Sequence, residues 1–128
     1  MSNDIADNVN IVTQGEKAEF PIYLDNRLDG RPFDLTNFDE FTLKLPLVSG
    51  SNDYLSITQS ANANGSSVVK TTPNECGRLD VTLGAADTQN LNPEFNQDMF
   101  LELNNSGTPN PKRIKLERAL HVNDFPAD

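Results

Sequence analysis

The sequence predicts an all-β fold in which two antiparallel sheets of about seven to eight short strands pack as a sandwich, with at most one short helical turn. Three observations predict it. Apolar residues recur with a period of two, turn-forming residues divide those runs at short intervals, and no stretch carries a sustained helical stripe.

The runs can be taken in order. A first strand is expected at Val9 and Ile11, followed by Phe20, Ile22 and Leu24 alternating with Glu19, Pro21 and Tyr23. Phe41, Leu43, Leu45 and Leu47 form the third, Leu55 and Ile57 the fourth, Val68 and Val69 the fifth. Leu79, Val81 and Leu83 come next, then Met99, Leu101 and Leu103, and last Ile114, Leu116, Leu120 and Val122. Residues two apart on a strand share a face, so each run offers one apolar side to a common core. Such strands cover that side by pressing two sheets together.

The punctuation agrees. Asp29-Gly30, the 49–53 segment, Asn62 to Gly65, Pro73 to Gly77 and Asn104 to Pro111 are rich in residues that accept positive φ or preset a turn. Leu83 to Leu91 can hold one helical turn, with Asp87 expected as its N-cap. Pro46, inside a run, argues for an edge strand or a bulge. Arg118 interrupts the last apolar face, which argues for a bulge or a side chain leaving at the rim. The expected division is a tail over 1–7, one sandwich domain over 8–122 and a second tail over 123–128.

Composition limits function. The 128 residues carry a net charge of −9, and an acidic surface repels phosphate backbones and anionic lipid. Nucleic acid and membrane are therefore not expected partners, and no apolar run approaches the roughly 18 residues that span a bilayer. The N-terminal segment has neither a basic nor an apolar signal region, so synthesis inside the cell is expected. Cys76 is the single cysteine and His121 the single histidine, which rules out an internal disulfide and a multi-histidine metal centre. His121 falls on the face opposite Leu120 and Val122 and is expected to point to solvent, while Cys76 is expected in a turn, partly exposed.

The Asp25 to Asp34 loop is acidic enough to compare with a calcium loop. Position 3 is Arg27 and position 12 is Thr36, where that loop needs an oxygen ligand and a glutamate, so the pattern fails. The simpler reading is a long hairpin connection whose aspartates cap turns. Asp39-Glu40, and Glu117 with Asp98, read as solvated charges and not as a glycosidase pair, because aromatic platforms are lacking. No catalytic residue, cofactor or metal ligand is expected, and the chain is not expected to be an enzyme.

Lys112, Arg113, Lys115 and Arg118 fall in one short segment. Basic residues there guard a strand edge in the simpler reading. In the functional reading they meet an acidic neighbour, and together with Asp25, Asp29 and Asp34 they are the expected protein-contact residues. A carbohydrate- or ligand-binding module is the alternative, using the Asn62–Gly65 and Asn104–Asn110 loops.

One ordered pattern goes further. Gly15 and Phe20-Pro21-Ile22-Tyr23-Leu24 lead into Asp29-Gly30-Arg31-Pro32-Phe33-Asp34-Leu35-Thr36; Gly77 to Leu83, Ala86 to Leu91 and Phe100 to Leu103 follow. From Ile11 to Val122 this order resembles the immunoglobulin-like modules of phage baseplate upper proteins and related prophage tail proteins. It departs at Asn92-Pro93-Glu94-Phe95-Asn96, where that family tends to place glycine and an aromatic. The resemblance implies an immunoglobulin-like sandwich and a structural or adaptor part of a virion or tail-like particle. That part would act with other particle proteins, as a homo-oligomer, and has no catalytic residues to carry over.

Overall fold

The structure, a computed structural model, describes residues 10–25, 30–47, 54–107 and 110–124. Among the described residues there are eight strands: β1 Asn10–Thr13, β2 Ala18–Tyr23, β3 Glu40–Pro46, β4 Tyr54–Thr58, β5 Ser67–Lys70, β6 Arg78–Leu83, β7 Gln97–Asn104 and β8 Lys112–Asn123. One four-residue helical turn, α1 Ala85–Thr88, lies where it was expected, and a 3-10 turn at Asn74–Cys76 adds a second.

The strands form a five-stranded sheet in the order β1-β8-β7-β3-β4 and a three-stranded sheet in the order β2-β6-β5. All neighbours are antiparallel except β1 and β8, which run parallel with Ile11 opposite His121. The β8-β7-β3-β4 and β2-β6-β5 orders are those of an immunoglobulin-like sandwich with one added strand beside the third. No disulfide joins the sheets, since Cys76 is a free thiol in the 3-10 turn.

The period-two residues meet as expected. Leu43, Leu45, Leu101, Leu103 and Leu116 from the large sheet face Ile22, Leu79, Val81 and Leu83 from the small one, all buried. Each such side chain stabilises the fold by about 1.5–3 kcal/mol relative to exposure. Leu35 and Leu91 come from connections and are also fully buried, plugging gaps between the sheets.

Three local expectations need correction. β3 is an interior strand, not an edge. Pro46 is tolerated because it is the last residue of β3 and lies beyond Lys44, the final residue that faces β7; its missing N–H interrupts no ladder there. The connection between β2 and β3 is not a hairpin, because it crosses from the small sheet to the large one. Asp34 within it does cap a turn, accepting from the Thr36 N–H at 2.9 Å. Finally, Asp87 is not the N-cap of α1. Gly84 holds that position, and Asp87 is the third residue of the turn.

Arg118 does mark a bulge. The β7–β8 register slips between Gln97 and Met99, Arg118 takes φ 53°, and its N–H donates to Asp98 Oδ1 at 3.0 Å. The extra residues let Ala119 and Leu120 both turn inward.

Candidate contact face

Strand alternation decides what the large sheet shows to solvent. β3 contributes Thr42 and Lys44, β4 contributes Tyr54 and Ser56, β7 contributes Asp98, Phe100 and Glu102, and β8 contributes Arg113 and Lys115. Register then sets neighbours. Phe100 lies between Lys44 and Lys115, and Glu102 between Thr42 and Arg113.

These residues surround a shallow depression of about 250 Å³ whose lining also includes Leu101 and Ile114. Tyr54 stands edge-on to Phe100 with ring centroids 5.6 Å apart. Arg113 Nε donates to Glu102 at 2.9 Å, and Lys115 Nζ sits 3.6 Å from Asp98. Among the described residues Lys44 forms no ion pair of this kind. Two half-neutralised cations, one further lysine and two aromatic rings thus share one flat surface on an otherwise acidic protein. Such a face suits an acidic partner: aromatic and arginine side chains supply contact energy, while surface ion pairs steer approach more than they add affinity.

The expected contact residues do not all gather here. Arg113 and Lys115 are on this face. Lys112 alternates to the core side of β8, at the rim, with its ammonium 5.6 Å from the Phe33 ring centroid. Arg118 is in the bulge. Asp25 bridges to Pro32 and Asp34 caps Thr36, both in the β2–β3 connection, and Asp29 lies outside the described residues. Among the described residues Lys112 to Leu116 pair only with β7, because β1 covers only Leu120 to Asn123, so this half of β8 borders the sheet.

His121 is half-buried and does not simply face water. Phe95 folds over it at 5.0 Å between ring centroids, and the Asn96 N–H donates to its Nδ1 at 3.0 Å. Cys76 is also half-buried, with Sγ 3.7 Å from the Thr71 carbonyl oxygen.

A polar cluster that sequence reasoning missed surrounds Asp87. Its carboxylate accepts from Ser66 Oγ, from Asn62 Nδ2 at 3.0 Å and from Asn64 Nδ2 at 2.8 Å. Burial pushes this carboxyl up, but the three donors outweigh burial and hold it below the ordinary aspartate range. Ser66 Oγ in turn accepts from the Gly84 N–H at 2.9 Å. The cluster fastens the 62–66 turn to α1 and commits the two asparagine amides inward. The signal was the spacing Asn-x-Asn-x-Ser opposite a lone aspartate, which has meaning only once β5 and β6 are paired.

Among the described residues no three His, Cys, Asp or Glu side chains converge as metal ligands, and no helix is long and apolar enough to cross a membrane. The chain matches no protein-family model and no curated protein.

Proposed function

We propose that this chain is a non-catalytic structural or adaptor component of a phage or phage-derived tail- or baseplate-like particle. It acts as a homo-oligomer and with other particle proteins through the solvent face of β3, β4, β7 and β8. The observation that carries the reading is that face: Phe100 set between Lys44 and Lys115 and backed by Tyr54, on a chain of net charge −9. The placement in a particle rests on the ordered sequence resemblance between Ile11 and Val122. Synthesis in the bacterial cytoplasm followed by incorporation into the particle belongs to the same proposal.

Sizing by light scattering tests it, together with the identity of neighbouring genes. The expected result is a mass well above the 14.1 kDa of one chain. A strict monomer encoded among metabolic genes overturns the reading.

A further inference from the structure

At one end of the sandwich the Thr36-Asn37 turn, Asn105 and the Asn110–Lys112 segment border an open cleft of about 620 Å³. Its lining is Asn37, Phe38, Asn105, Asn110, Pro111 and Lys112. We propose that this cleft binds an acidic saccharide, with the pyranose ring on Phe38 and Pro111, hydroxyls on the Asn37 and Asn110 amides and a carboxylate on Lys112. The proposal is independent of the contact face and of any place in a particle.

The walls are held in position by the protein itself. Asn105 Nδ2 donates to the Asn37 carbonyl oxygen at 2.7 Å, and Asn105 Oδ1 accepts from the Gly107 N–H at 2.8 Å. Asn104 Oδ1 accepts from the Asn110 N–H at 3.1 Å. Asp39 clamps Ser106, accepting from its N–H at 2.9 Å and its Oγ at 2.7 Å. Phe38 is stacked on Phe33 at 5.9 Å, and the same Phe33 ring lies under the Lys112 ammonium. Ring and cation are therefore positioned before any ligand arrives, which lowers the ordering cost of binding.

The chemistry of the lining selects the ligand class. Each asparagine amide both donates and accepts, which matches neighbouring hydroxyls that do the same. Among the described residues the Asn37 and Asn110 side-chain amides have no hydrogen-bonding partner, unlike those of Asn62 and Asn64. Phe38 and Pro111 offer the flat apolar surface that the C–H face of a sugar ring needs. Lys112 is the one charged residue in the lining, and it is positive. A single ammonium suits one carboxylate, whereas a nucleic-acid backbone needs several cations.

The test uses the full chain, ¹⁵N-labelled, titrated with sialyllactose and with digalacturonate, and with lactose as the neutral control. The expected result is millimolar binding of an acidic sugar, with shifts at the Asn37 and Asn110 side-chain amides and saturation transfer from the Phe38 ring to ring protons of the sugar. K112Q weakens that binding about tenfold, the loss of one charge-assisted hydrogen bond. N37A also weakens it, and both variants keep the backbone spectrum because these side chains are exposed. Charge-reversing variants at Lys44 and Lys115 leave it unchanged. Absence of amide shifts with both acidic sugars overturns the proposal, as does equal binding of lactose or an unaltered affinity in K112Q.

Discussion

Replacing Asp87 by asparagine keeps its size and removes the charge that organises the 62–66 turn. Three donors converge on the carboxylate, and hydrogen bonds to a charged acceptor contribute about 1.5–3 kcal/mol each. They do not simply add. Asn62 and Asn64 are exposed and return to water, while Ser66 is fully buried and has no such exchange. Most of the loss therefore falls on the Ser66 hydroxyl and on the new amide, whose own N–H₂ now faces donors. A cost of about 3 kcal/mol follows. With a urea slope of roughly 1–3 kcal/mol/M, the unfolding midpoint of Asp87→Asn falls by roughly 1–3 M at neutral pH, at an unchanged slope.

The effect has a sign in pH. The folded carboxyl titrates below its unfolded value of about 3.9, so its contribution is fully present above that value. It is lost as pH falls through the depressed folded value, and the gap between wild type and variant closes only in that acid window. Urea unfolding at a series of pH values reads this directly. A midpoint equal to wild type at neutral pH, or a gap that stays constant into strong acid, refutes the reasoning.

Other perturbations follow from the same geometry. Gly84→Ala places a Cβ 1.8 Å from the Asn64 carbonyl oxygen, a clash with backbone that no rotamer relieves, and costs more than about 2 kcal/mol in the same urea assay. Leu43→Ala empties a fully buried site in the interior strand and lowers stability by about 2–5 kcal/mol by urea unfolding. Arg118→Gly works the other way: relief of the left-handed backbone at the bulge raises stability by up to about 1 kcal/mol, measured as a higher melting temperature.

Much of the fold was legible because burial imposes a period. Phe41-x-Leu43-x-Leu45 and Met99-x-Leu101-x-Leu103 could present one apolar face only as strands, and both lie in the core. Arg118 was readable as a break in such a period. Where the period carried no information, the sequence stayed silent. Pro46 was misplaced because a proline tells only that one N–H is missing, and the strand end hides that loss as well as an edge does. Leu35 and Leu91 sit in connections and follow no alternation, so their burial depends on gaps that both sheets create. Asp87 fitted the rule for helix caps, but three side chains far away in sequence claimed its carboxylate. The contact face was half legible. Arg113 and Lys115 stood out as charge, whereas Lys44 and Phe100 join them only through the β3–β7–β8 register.

Hydroxyl-radical footprinting of the assembled and dissociated protein, read residue by residue by mass spectrometry, tests the contact face most directly. The account predicts that Tyr54 and Phe100 lose most of their labelling on assembly, while Phe95, 63% exposed in the bend before β7 and packed on His121, keeps its own. Unchanged labelling of Tyr54 and Phe100, with protection appearing at Phe95 instead, would contradict it.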